Sequence, residues 1–239
     1  KSGVIATSDM DRDRRWIRTL LVDLNEPGTP PVTLDDRSVR DRYADPGRLV
    51  TRSEETGYSI VRQDEDWVYL SGTGATPDGD RPFLDRRNLK TLETERLWRC
   101  REGYQESVSL VLTSSQEQKP QIIIRRESPT DPPNYFLVDL QQESETPLTS
   151  FRDPTPQIRG IRKELVKYSR ADGVPLSATL YLPADYEPGQ RLPLLVWAYP
   201  LEFTDASTAG QVSASPYQFT RMTGISHLVM LTQGYAIMD

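Results

Sequence analysis

The sequence predicts two architectures in series: an all-β region over residues 1–151 and the opening of an α/β sheet over 161–239. Three observations carry this. Short stretches of alternating apolar residues recur between turns from Trp16 to Phe151, with almost no helical period. The stretch from Ile161 to Leu201 then holds a hairpin, a Pro-rich loop and a short apolar strand. The order that follows, strand, helix, strand, is how a parallel sheet begins.

In chain order, the all-β region offers strands at 16–24, 58–63, 67–71, 82–89, 96–101, 108–113, 121–126 and 135–140. Their even spacing fits a sandwich, a barrel or a propeller. A weak repeat favours the propeller. Leu21-Val22-Asp23-Leu24 is followed after a turn by Pro31-Val32-Thr33-Leu34, Arg86-Arg87-Asn88-Leu89 by Arg96-Leu97-Trp98, and Leu137-Val138-Asp139-Leu140 by Thr146-Pro147-Leu148. Each copy reads as the outer hairpin of a blade. The copies are spaced more widely than the roughly 40–50 residues of regular blades, so about three blades fit, with a generic antiparallel sheet as the alternative.

Within this region Ser71-Gly72-Thr73-Gly74 resembles a phosphate-binding loop only superficially. It lacks the Lys-Ser/Thr pair and leads into a strand, so no helix N-terminus is available for an anion. A long blade loop accounts for it better. Residues 152–160, rich in Pro and without periodicity, form the linker to the second region.

The second region opens with a hairpin reversing at Asp172-Gly173. In its second arm Leu176, Ala178, Leu180 and Leu182 alternate with Ser177, Thr179 and Tyr181, which predicts one buried face. The run Leu194-Leu195-Val196-Trp197-Ala198 has no polar face, as expected of a strand covered on both sides. A helix is predicted over 226–233, with Ser226 as N-cap and Gly234 after its end, and then a strand over 235–238.

Composition excludes several function classes. The 35 acidic and 29 basic residues give a net charge of -6, and the arginines are scattered among acids, which gives no basic face for nucleic acid. No apolar run approaches the roughly 20 residues of a membrane helix. The expected setting is therefore soluble: cytoplasm, plastid stroma or periplasm. The lone Cys100 sits at strand spacing and is expected to be a buried thiol. The lone His227 has no partner at metal-ligand spacing, so neither a metal nor a cofactor is expected. A start at Lys1 and a stop directly after an apolar strand predict an internal segment of a longer polypeptide.

The segments Lys163 to Tyr168, Ala171-Asp172-Gly173, Thr179 to Pro183 and Leu194 to Pro200 resemble the propeller-to-hydrolase junction of the prolyl oligopeptidase family of serine peptidases. Within that family, Asp41-Arg42-Tyr43-Ala44-Asp45-Pro46-Gly47, Leu70 to Pro77, Arg81 to Asp85, Trp197 to Phe203 and Ala209-Gly210-Gln211-Val212 are similar to the glutamyl endopeptidase branch. The resemblance implies a partial β-propeller followed by the N-terminal part of an α/β-hydrolase domain, with peptides or unfolded proteins as substrates, cut after Glu. It also implies that Tyr199, at the end of the 194–198 strand, donates its hydroxyl to the oxyanion.

Such chemistry needs a Ser in a G-x-S-x-G elbow, followed in the chain by an acid and a His. The sequence contains no such elbow. Gly224-Ile225-Ser226-His227-Leu228 is the nearest approach, but it has Leu for the second Gly and no apolar strand leading in, so Ser226 and His227 are read as a helix start rather than as nucleophile and base. Nucleophile, acid and base are expected beyond Asp239. Selection of Glu would need a cationic pocket, and no one arginine stands out in the sequence. The other readings are a peptide-binding module without catalysis and an esterase or acylaminoacyl peptidase of the same fold.

Overall fold

The computed structural model describes residues 3–112, 119–198 and 206–239. Its first part is a series of separate antiparallel sheets. Strands β1 (Val4–Asp11), β2 (Trp16–Asp23) and β3 (Val32–Ser38) form the first, in the order β1-β2-β3. After β4 (Arg48–Leu49), a small hairpin of β5 (Thr51–Ser53) and β6 (Ser59–Val61) precedes β7 (Gln63–Asp64) and β8 (Trp67–Gly72). The two-residue strands β9 (Ala75–Thr76) and β10 (Gly79–Asp80) pair with each other. Strands β11 (Phe83–Asn88) and β12 (Thr94–Arg99) complete the second sheet, β12-β11-β8-β4, with β7 also on β8. The third sheet is a meander of β13 (Gln105–Val111), β14 (Gln121–Glu127), β15 (Asn134–Asp139) and β16 (Ser144–Pro147).

The three hairpins legible as a repeat are the outer pairs of these sheets. Leu21 faces Val32, Arg86 faces Glu95, and Leu137 faces Thr146. Strand β1 is not among the strands that the sequence pattern predicts. All eight of its residues are exposed, so no apolar alternation marks it, and its order comes from backbone pairing with β2 along its whole length. Asp9 and Arg18 face each other across that pair and meet at 2.5 Å.

The core lies between the second and third sheets. Tyr69 and Leu84 on β8 and β11 pack with Val111, Ile122, Ile124 and Val138 of β13, β14 and β15, backed by Trp98 and Phe136. Beside it Cys100 is wholly buried, its Sγ accepting from the Glu106 N–H at 3.3 Å and donating to the Tyr104 carbonyl at 3.2 Å. The glycines of the 71–80 loop serve close packing: a Cβ on Gly74, at φ +56°, would stand 2.2 Å from the Arg81 carbonyl oxygen. The loop therefore folds tightly on itself, with β9 paired to β10, and β11 follows it.

Residues 152–160 contain one 3₁₀ turn, Pro156–Ile158, whose Ile158 is buried. Beyond it β17 (Arg162–Ser169), β18 (Pro175–Leu182), β19 (Leu194–Val196) and β20 (Ala236–Met238) form one sheet in the order β17-β18-β20-β19. Strands β19 and β20 are parallel, and β18 is antiparallel to both β17 and β20. The hairpin reverses through residues 170–174 with only Gly173 at positive φ; Arg170 N–H bonds the Val174 carbonyl at 2.9 Å and Gly173 N–H the Arg170 carbonyl at 2.8 Å. The loop is thus longer than a two-residue turn at Asp172-Gly173, a type I turn closed by a left-handed glycine.

Two expectations for this sheet are corrected. Tyr181, placed on the polar face by simple alternation, packs with Leu195 and Met230 around Leu228, Leu231 and Ile237. An aromatic ring with a polar tip buries as readily as a leucine. Strand β19 is covered on one side only: Leu195 faces that cluster, whereas Leu194 and Val196 are 53% and 62% exposed. The predicted helix is a 3₁₀ segment, His227–Gln233, with Ser226 as N-cap and Gly234 left-handed at its end. A four-residue helix, α1 (Ala206–Ala209), lies in the loop between β19 and β20.

Candidate active-site edge and the interface beside it

In an open sheet with parallel strands, ligands meet the carboxyl ends of those strands. Here that edge is the end of β19 and β20, and it gathers Trp197, His227 and Asp239. Trp197 N–H bonds the Met238 carbonyl at 2.8 Å, which continues the parallel pairing one residue past β19. Its ring stacks on His227, with centroids 4.7 Å apart and planes within 8°. His227 Nε2 lies 3.2 Å from Asp239 Oδ2.

Ser226 and His227 do not act together. The Ser226 hydroxyl accepts from the Leu228 N–H at 3.2 Å, as an N-cap should, and the His227 ring is turned to Trp197 and Asp239. Tyr199, the residue to which the resemblance assigns an oxyanion role, lies outside the described residues.

Next to this edge, loops of the β-rich part are fastened to the segment after α1. Gln211 Nε2 donates to Asp41 Oδ1 at 2.8 Å, and its Oε1 accepts from the Arg42 N–H at 2.7 Å. The Val212 N–H donates to Tyr43 Oη at 2.9 Å. Arg42 grips both oxygens of Asp80 at 3.0 and 3.2 Å, and the Asp80 N–H reaches the Ala214 carbonyl at 2.9 Å. The Gln211 hydrogen bond, aided by backbone N–H groups of Ala44 and Tyr43, holds the Asp41 carboxyl below its usual range. Burial pushes Asp80 up, opposed by Arg42. Gly210 lets this segment lie on the hairpin, since a Cβ there would stand 2.0 Å from the Pro175 carbonyl oxygen.

A second junction joins β14 to the start of β17. Arg125 and Glu127, two residues apart on one face of β14, pair through both guanidinium nitrogens at 3.3 and 3.0 Å. Arg221 stands 3.9 Å from the same carboxylate. Lys163 Nζ donates to the Gln218 carbonyl at 3.3 Å and lies 5.7 Å from the centre of the Tyr181 ring. These side chains line a cavity of about 260 Å³.

The stretches that build the first junction, 41–47 and 209–212, stand out in the sequence by similarity, but nothing there gives a role to Asp41, Arg42, Tyr43 or Gln211. Their partners lie about 170 positions away, and no periodicity in the sequence encodes such pairs.

This chain is 37% identical over 238 residues to a probable chloroplastic glutamyl endopeptidase of Oryza sativa subsp. japonica, and 35% identical over 239 residues to one of Arabidopsis thaliana. Each match takes in 94% of this chain but 25% of the relative, so the chain spans about a quarter of the length of the curated relatives it matches. No family model matches. Among solved structures, the AtxE2 isopeptidase aligns with 99% of this chain and 31% of its own, at a TM-score of 0.54 and 17% identity. Oligopeptidase B from Leishmania major aligns with 100% of this chain and 31% of its own, at 0.51 and 13%. The likeness to these structures shows the fold: blades of a partial β-propeller, then the opening strands of an α/β-hydrolase sheet. The resemblance to glutamyl endopeptidases of the prolyl oligopeptidase family holds nearly end to end. Among the described residues no helix is long and apolar enough to cross a membrane.

Proposed function

We propose, with that likeness to glutamyl endopeptidases as premise, that this chain is a segment of a serine-type endopeptidase that cuts peptides after Glu. In this reading residues 1–151 are part of a β-propeller, 152–160 a linker, and 161–239 the start of the peptidase domain. The observation that carries it is the identity of 37% and 35% to two such relatives over 94% of the chain. The strand order β17-β18-β20-β19, with β19 and β20 parallel, supports it, because Tyr199 follows β19 by three positions in the sequence.

The division of labour follows from acyl-transfer chemistry. A hydroxyl must attack the scissile carbonyl, an imidazole must take its proton, and a carboxylate must hold that imidazole. No elbow for the hydroxyl occurs in these 239 residues, so we assign nucleophile, acid and base to the rest of the protein. Tyr199 supplies a phenol O–H aimed at the oxygen on which negative charge develops, a donor of a kind worth roughly 2.7–4 kcal/mol of barrier. The propeller stands over the strand ends and admits flexible peptides.

The complete protein, treated with a fluorophosphonate probe and a peptide library, is expected to be labelled at one Ser outside this chain and to cleave after Glu. The 239-residue chain alone is expected to do neither. Stoichiometric labelling of Ser226 would overturn the assignment of the nucleophile, and a complete protein that is neither labelled nor active would leave a peptide-binding module in its place.

A further inference from the structure

The faces that the first two sheets turn toward each other differ from those that form the core. Tyr69 and Leu84 of the second sheet look toward the third sheet and pack in its apolar cluster. Leu49 faces Leu70 across β4 and β8, Leu70 faces Asp85 across β8 and β11, and Arg87 lies two positions on from Asp85. By strand alternation Leu49, Leu70 and Arg87 therefore share the opposite face. Against them the first sheet sets Ile17 of β2 and Leu34, Asp35 and Arg37 of β3. Between the two faces lies a cavity of about 510 Å³, within the roughly 300–1,000 Å³ of small-molecule sites.

The charges that line it do not cancel. Asp35 and Asp45 are both held by one guanidinium: Arg37 Nε reaches Asp35 Oδ2 at 3.0 Å and its Nη2 reaches Asp45 Oδ1 at 3.0 Å. Arg37 Nη1 donates to the Ser38 carbonyl at 3.0 Å, so all three of its nitrogens are engaged. The other two guanidinium groups of the lining, Arg48 and Arg87, meet no carboxylate within ion-pairing distance among the described residues. Arg87 Nη1 donates to the Leu34 carbonyl at 2.7 Å, which ties the two sheets together. Its Nε is buried and has no hydrogen-bond partner among the described residues. A buried donor on a charged group is costly to leave unpaired. Arg48 comes from the edge strand β4 and is exposed, which puts a second guanidinium at the rim.

Unpaired cation and apolar wall thus meet in one space. A bare inorganic anion would leave the aliphatic side chains of Ile17, Leu34, Leu49 and Leu70 without a partner, and a neutral apolar molecule would leave Arg87 without one. A carboxylate on an aliphatic body satisfies both, since the guanidinium fork matches the geometry of a carboxylate. Asp35 and Asp45 repel a second negative charge, so a single carboxylate fits best.

We infer that this cavity is a binding site for a small aliphatic monocarboxylate, held through its carboxylate by Arg87 and Arg48 and through its body by Ile17, Leu49 and Leu70. A free organic acid and an apolar residue at the end of a peptide both carry that chemistry. The site is independent of the endopeptidase reading. Its occupant bridges the first two sheets and so favours their packing.

The test titrates isocaproate, isocaproamide, N-acetyl-leucine and inorganic phosphate into the complete protein by calorimetry, using wild type, Arg48→Gln and Arg87→Gln. Isocaproate or N-acetyl-leucine is expected to bind wild type about tenfold or more tightly than the amide and phosphate, with that margin lost in each variant. Tighter binding of N-acetyl-leucine identifies a peptide end as the source, and tighter binding of isocaproate a free acid; both support the site. Equal binding of acid and amide overturns the inference, as does phosphate binding as tightly as the acids. Acid binding within about twofold of wild type in either variant also overturns it, because both guanidinium groups are then dispensable or the ligand sits elsewhere. Arg87→Gln gives up the bond to the Leu34 carbonyl as well; if it fails to fold, Arg48→Gln decides alone, since among the described residues the Arg48 side chain makes no hydrogen bond to lose. Amide exchange locates the ligand: slower exchange in β2, β3 and β8 on adding the tighter acid is expected, and slowing confined to other strands overturns the inference.

Discussion

The phenol oxygen of Tyr43 accepts a hydrogen bond from the Val212 N–H at 2.9 Å, across 169 positions of sequence. Val212 is buried, so its N–H has no ready exchange with water if the phenol is removed. An orphaned buried donor costs about 1–3 kcal/mol. Tyr43→Phe in the complete protein is therefore expected to destabilise this junction by that amount while the blade cores stay intact. Amide exchange read residue by residue checks it: faster exchange confined to Val212 and its neighbours is expected, and unchanged protection there would count against the bond.

Cys100 is expected to behave as a core group. Burial, the largest influence, pushes its thiol up to about 11 from the usual 9.0. Because the folded pKa is the higher one, the associated stability is fully present below pH 9 and is lost as pH rises through about 11; two units correspond to roughly 2–3 kcal/mol. At pH 8 iodoacetamide should leave Cys100 unmodified in the folded protein and alkylate it promptly in guanidinium chloride, with mass spectrometry as the readout.

Leu84 is fully buried where the second and third sheets meet, in the cluster with Tyr69, Ile122 and Ile124. Leu84→Ala leaves a cavity between two stiff sheets that have little freedom to collapse. A loss of about 2–5 kcal/mol is expected in chemical denaturation of the complete protein. A cost below about 1 kcal/mol would mean that the sheets slide together easily.

What the sequence reveals and what it hides follow from the range of the interactions. The hairpins at 21–34, 86–98 and 137–148 are legible because alternation and turn chemistry act over a few residues. Strand β1 is hidden because it buries nothing, and the packing face of β18 is misread because Tyr181 looks polar in a binary pattern. The candidate site is still less legible. Gln211 with Asp41, and Arg221 with Glu127, are polar pairs whose spacing in the chain is arbitrary. The Ser226 N-cap, a contact over two residues, was legible for the same reason that the hairpins were.

On the proposed mechanism, Tyr199→Phe in the complete protein keeps the ring and removes only the donor. Turnover is expected to fall about 10²–10³-fold, with KM changed by less than about threefold, since the oxyanion exists only on the way to the transition state. A turnover number within twofold of wild type removes Tyr199 from the mechanism.

Gly210 links the junction to the hairpin and so offers a way to separate gating from chemistry. Its absent side chain lets Pro175 approach, and Gln211 and Val212, the next two residues, carry the bonds to Asp41 and Tyr43. Gly210→Val must push the segment off β18, because the obstacle is backbone and not a flexible side-chain end. Both bonds depend on that seat, so their loss should be concerted, and the β-rich part should part from the sheet more readily. Limited proteolysis of the complete protein is expected to cut the 206–215 segment several-fold faster in the variant than in wild type. If the propeller gates the site, kcat/KM for a long unstructured peptide should change while that for a dipeptide-sized substrate does not. An equal loss for both would mean that Gly210 acts on the geometry of the strand edge itself, and that the junction holds the active site in shape and does not control entry.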